Sequence, residues 1–115
     1  MTSIDRHPDP ERYDLMREKT VEQKLVKAVK NRGGICPKLV CPGFDGMPDR
    51  LVLLPDGKVG FVEVKAPGEK PRPPQASRHN LLRSLGLQVF TLDDLTAIPR
   101  MLDEIGGKHD NPSNG

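Results

Sequence analysis

At 115 residues, with 35% hydrophobic side chains and no Trp, the chain has room for one thin-cored domain and not two. No stretch reaches the roughly 18 apolar residues of a membrane span and no apolar signal core stands at the N-terminus, so a soluble, cytoplasmic protein is expected. The formal net charge of +2 is too small to imply nucleic acid by itself.

In chain order, residues 1–12 and 107–115 are polar, lack apolar periodicity and are expected to be flexible tails, leaving 13–106 as the folded domain. Residues 20–32 (TVEQKLVKAVKNR) predict the first helix. Leu25, Val29 and either Val21 or Val26 form its apolar stripe, Thr20 with Gln23 fits a capping box, and Gly33-Gly34 is a stop. Residues 14–19 could add a preceding turn or short helix. The run 35–41 (ICPKLVC) predicts a strand. Its cysteines, Cys36 and Cys41, would face opposite sides of that strand, which disfavours a disulfide. With no histidine nearby they predict no zinc site either, only thiols in a reducing compartment.

Strands are predicted at 50–54 (RLVLL) and 58–65 (KVGFVEVK), joined by a tight turn at Pro55-Asp56-Gly57 into a hairpin. Asp56 is structural on this reading. Residues 66–73 hold too many prolines for regular structure. A helix over 74–85 with Pro74 in its first turn, a strand over 87–92, and a helix near 94–105 restarted at Pro99 complete the chain. The order α-β-β-β-α-β-α predicts an α/β fold: a mixed sheet with helices packed on it.

Against this scaffold Asp49, Glu63 and Lys65 stand out. Glu63 and Lys65 share a strand face, and Val62 and Val64 point the other way. If the turn is an odd-length loop such as 56–58, Pro55 faces Val59, Asp49 falls opposite Lys65, and all three side chains share a face. An even loop would put Asp49 on the other face unless a bulge intervened. Two carboxylates at a strand edge suit Mg²⁺ or Mn²⁺, with the Val64 carbonyl as a third ligand and Lys65 over the same phosphate. Taken alone, Glu63-Val64-Lys65 recurs by chance on exposed strand faces; the added Pro-Asp and hairpin make the combination more specific.

Charge is unevenly spread. Lys65, Lys70, Arg72, Arg78 and Arg83 crowd the middle, and acids collect towards both ends, a pattern that fits a phosphate backbone as well as an ordinary mixed surface. Lys38, Arg72 and Arg78 are the candidate DNA contacts, although Lys38 fits a plain surface lysine equally. His79 could grip the DNA backbone beside Arg72 and Arg78 but reads rather as a surface histidine, and His7 and His109, in the tails, as uninvolved. Glu22 alone reads as an exposed carboxylate near a helix start, and Gln75 alone as a polar first-turn residue.

Gly46-Met47-Pro48-Asp49-Arg50, then Phe61-Val62-Glu63-Val64-Lys65-Ala66-Pro67, then Gln75, resembles the VRR-NUC (virus-type replication-repair nuclease) domain of the PD-(D/E)xK nuclease superfamily. The resemblance spans about 20–92 and takes in Glu22 and the strand led by Gly86. It implies a restriction-endonuclease-like core and metal binding by Asp49, Glu63 and the Val64 carbonyl. It also implies a catalytic Lys65, with Glu22 reaching the metal from the first helix and Gln75 positioning water or phosphate. Small members of the family resemble homodimers of phages and their hosts that cut branched DNA such as four-way (Holliday) junctions. The expected function is therefore a Mg²⁺- or Mn²⁺-dependent DNA endonuclease of replication, recombination or repair, in a bacterial or phage-infected cell and with no organic cofactor. The alternatives are a flap, nick or single-strand nuclease of the same fold, or a catalytically silent DNA-binding module.

Overall fold

The computed structural model describes residues 10–107. The expected tails fall largely outside that range, as do His7 and His109; residues 10–12, expected to be loose, begin the first helix. That helix, α1 (Pro10–Asn31), starts ten residues earlier than its predicted cap. Pro10 suits a first turn, and nothing in ERYDLMREK interrupts a helix. Thr20 is therefore interior to α1, and its hydroxyl donates to the Met16 carbonyl at 3.1 Å. The predicted stop holds. Gly33 takes φ +85°, its N–H reaches the Lys30 carbonyl, and the Gly34 N–H reaches that of Val29, the paired bonds of a Schellman ending.

The sheet has three strands: β1 (Arg50–Leu54), β2 (Lys58–Val64) and β3 (Val89–Leu92). They lie in the order β1-β2-β3, with β1 antiparallel and β3 parallel to the central β2. The strand expected over 35–41 does not form. Only two isolated bridges, Ile35 to Leu53 and Lys38 to Arg50, join this segment to β1. Pro37 between them has no N–H to give, so a continuous ladder is impossible there. Both cysteines are free, Cys36 buried and Cys41 half-buried.

The hairpin turn is Pro55-Asp56-Gly57, with Asp56 at φ 69°, and Leu54 faces Lys58. The loop is odd, as the shared face requires, but lies one residue earlier than the 56–58 expected. The register Arg50 to Val62, continued one step, sets Asp49 opposite Glu63 and not Lys65.

Helix α2 (Pro73–Ser84) crosses from β2 to β3, and a single 3₁₀ turn leads into α3 (Ile98–Ile105), with Pro99 in its first turn as expected. Strand register sorts the side chains onto two faces. Val52, Leu54, Val62, Val64 and Leu92 meet Val21, Leu25 and Val29 of α1 and Ile98, Met101, Leu102 and Ile105 of α3 in one apolar core. Each such side chain, fully buried, contributes about 1.5–3 kcal/mol. Glu63 and Lys65 lie on the opposite face, where α2 buries His79 and Leu82.

Candidate active site

A loop delivers Asp49. Gly46 has φ +82°, and a Cβ there would sit 2.5 Å from the Pro74 carbonyl oxygen at the start of α2, so only glycine allows this approach. Arg78 holds the same loop. Its Nε donates to the Asp45 carbonyl at 3.1 Å, and its guanidinium lies 5.3 Å from the centre of the Phe44 ring. Asp49 then turns its carboxylate onto β2, where Oδ2 accepts the Val64 N–H at 3.0 Å.

Glu63 is the hub. It is 2% exposed, and Oε2 accepts from Gln75 Nε2 at 2.9 Å. The other end of that amide, Gln75 Oε1, accepts the Arg72 N–H at 2.9 Å, so the helix start fixes which end of Gln75 faces the carboxylate. Lys65 Nζ stands 3.7 Å from Glu63 Oε2. Burial first, then the charge of Asp49 and a hydrogen bond shared with it, push the Glu63 carboxyl up to about 7, against the opposing pull of Lys65.

Two carboxylates this close, one of them sealed from water, need either a shared proton or a cation. Glu63 Oε1 is buried without a hydrogen-bond partner, an acceptor left open. Asp49 and Glu63 therefore fit a small divalent ion of the Mg²⁺ or Mn²⁺ kind, which uses one or two protein carboxylates and keeps several waters. No cluster of three or more ligating His, Cys, Asp or Glu side chains occurs among the described residues.

Glu22 lies elsewhere. Arg50 clamps its Oε2 through Nε at 3.0 Å and Nη2 at 2.9 Å, and also donates to the Cys36 carbonyl at 2.7 Å. Arg50 shares the strand face of Val62, so the Glu22 contact belongs to the α1 side of the sheet, away from Glu63. The α1 carboxylate that senses the site is Glu18, one turn earlier. Its pKa is raised by burial first and then by the charge of Asp49, with Lys65 pulling it down. Because the sequence reading began the helix at Thr20, Glu18 escaped notice; its spacing of four from Glu22 was the available signal.

His79, expected on the surface, is 1% exposed and sits one turn beyond Gln75. Its Nε2 lies 3.7 Å from Glu63 Oε1, and both atoms are buried without hydrogen-bond partners. Burial first, then the charge of Arg83, lowers its pKa. Of the expected DNA contacts, Lys38 is exposed beside Arg50 and Arg72 is exposed at the start of α2; Arg78 is occupied with the loop.

No family model matches the chain. "Putative nuclease p44" of Acyrthosiphon pisum secondary endosymbiont phage 1 is 55% identical to it over 86 residues, which cover 73% of this chain and 92% of that protein. A solved structure described as a VRR_NUC domain superposes with a TM-score of 0.71 at 32% identity, covering 76% of this chain and 95% of the other. A relative this similar over nearly its whole length, and a solved domain that shares the strand and helix arrangement, place the chain in the VRR-NUC family.

Proposed function

We propose that the chain is a divalent-metal-dependent endonuclease that hydrolyses phosphodiester bonds in DNA. The observation that carries this reading is the buried Glu63 carboxyl under the charge of a half-buried Asp49, with Lys65 beside it. Bound Mg²⁺ or Mn²⁺ would polarise a phosphoryl oxygen and lower the pKa of a water. Asp49 and Glu63 would hold the ion, and the Val64 carbonyl, between the Asp49-bonded Val64 N–H and Lys65, would supply a further oxygen. Lys65 offsets the charge that gathers on the phosphate as the bond breaks. Gln75 keeps the Glu63 carboxylate aimed. The test is cleavage of labelled DNA with Mg²⁺, with Mn²⁺ and in EDTA; protein that binds DNA but cuts with neither metal is a binding module and ends this reading.

The finer reading is a homodimer acting on branched DNA such as four-way junctions. The low hydrophobic content of the chain, 35%, supports a second copy that lets it bury more surface. Sedimentation together with a panel of linear, flap and junction substrates tests it. A monomer, or linear duplex cut as fast as a junction, removes this refinement and leaves the nuclease reading standing.

A further inference from the structure

Part of the positive charge in the middle of the sequence is committed inside the molecule. Arg78 secures the 42–48 loop, and Arg83 donates to the Val89 carbonyl at 3.0 Å and to Asn80. Lys70 and Arg72 stay exposed ahead of and at the start of α2, but a larger group of uncommitted charges lies on the opposite side of the sheet. A groove of about 510 Å³ runs between α1 and the 35–39 segment, and Lys19, Lys27, Lys30, Lys38 and Arg50 line it. Its one acidic lining residue, Glu22, is already paired with Arg50. The four lysines are exposed and make no ion pair among the described residues.

We propose that this groove is a track for the phosphate backbone of DNA, ending at the active site. The inference rests on the nuclease reading above and locates its substrate. Lys19, Lys27 and Lys30 fall on one helical stripe. From Lys19 to Lys30 the helix rises about 16 Å, the axial span of roughly five phosphates of one duplex strand. At its sheet end the groove reaches the backbone segment that carries Asp49 into β1. Lys38 bridges to Arg50, the residue after Asp49, and the Leu39 N–H donates to the Asp49 carbonyl at 2.8 Å. Lysines without acidic partners give a sequence-blind contact, which suits a strand held by its backbone. A shallow groove with such a lining has little to offer an uncharged or apolar ligand.

The test is equilibrium binding of a fluorescent DNA duplex in EDTA across a salt series, so that cleavage plays no part. The Lys19→Gln, Lys27→Gln, Lys30→Gln triple variant keeps good helix formers. The Lys24→Gln, Lys58→Gln, Arg100→Gln triple removes the same charge from exposed positions outside the groove. We expect the groove triple to flatten the slope of log affinity against log salt by roughly 3 and to weaken binding more than tenfold at fixed salt, with the control triple changing little. An unchanged slope in the groove triple, or an equal fall in the control, overturns the proposal. Calorimetric Mn²⁺ titration separates this outcome from the parent reading. Protein that binds no metal yet loses its salt slope keeps the groove and ends the nuclease; protein that binds metal with the slope intact does the reverse.

Discussion

Gly60 and Glu63 lie three residues apart on β2 and meet their neighbours in opposite ways. At Gly60 the fit is apolar and full: a Cβ there would stand 2.6 Å from Ile105 Cδ1. At Glu63 the burial is as complete, but an oxygen lacks a partner and a second carboxylate presses on it. The sheet separates these surroundings, with α1 and α3 on one face and α2 on the other. One strand thus carries a close apolar contact and an unsatisfied polar one. Residues on the Gly60 face should govern stability, and those on the Glu63 face should govern chemistry at some cost in stability.

The sharpest way to break that division is at Lys65 and Asp49. Lys65→Ala is expected to lower the cleavage rate by about a thousandfold, roughly 4 kcal/mol of barrier, with calorimetric Mn²⁺ binding retained and the melting temperature unmoved. Asp49→Ala should abolish both the binding heat and the cleavage. Cleavage within a few-fold of the parent in either variant removes these residues from the reaction.

A slightly smaller effect is set by pH. The Glu63 carboxyl moves from an ordinary 4.5 to about 7 on folding, so the folded protein holds this proton more tightly than the unfolded chain. Its contribution to stability is complete below about 4.5 and is lost as pH rises through about 7, a difference of roughly 3 kcal/mol. Urea unfolding of metal-free protein should therefore show stability falling between pH 5 and 8. Mg²⁺ or Mn²⁺ should restore it at pH 8 and do little at pH 5, and Glu63→Gln should flatten the dependence. Stability that rises over this interval in the metal-free protein would show that the pair is not frustrated.

On the other face, Gly60→Ala is expected to cost about 2 kcal/mol by overpacking against Ile105 and to leave Mn²⁺ affinity unchanged. A neutral result would mean that the apolar side has slack, and a change in metal affinity that the two faces are coupled.

How much of this the sequence could carry depended on the range of each cause. The hairpin was legible because alternation and a Pro-Asp-Gly turn are local, and the face shared by Asp49, Glu63 and Lys65 needs only an odd loop, so a one-residue error in its position did no harm. The apolar stripe of α1 was legible for the same reason. The start of α1 was not, because Thr20-Gln23 imitates a cap and nothing local says that the helix is already running. That error hid Glu18 and left Glu22 as the only α1 carboxylate to consider. The 35–41 segment has strand-forming residues but a proline where the ladder needs an N–H. His79 was misplaced because its burial comes from the packing of α2 on the sheet, a tertiary fact that no spacing within 74–85 encodes; the one available sign was its interval of four from Gln75.

That interval yields the smallest of the expected effects. His79 Nε2 and Glu63 Oε1 face each other at 3.7 Å, too far for a hydrogen bond, yet neither atom has another partner. Burial and then the charge of Arg83 lower the His79 pKa and so favour the neutral ring. A neutral ring can give Glu63 one N–H without adding a positive charge that would repel a metal ion. His79 is then a positioning residue, completing from one turn away what Gln75 does for the other oxygen. His79→Phe keeps the volume and removes the donor, so Mn²⁺ affinity should fall roughly tenfold with no loss of thermal stability. His79→Gln, which restores an N–H, should recover much of that affinity. If Phe and Gln weaken Mn²⁺ binding equally, the ring serves only to fill space; if neither weakens it, Glu63 is held by Gln75 alone.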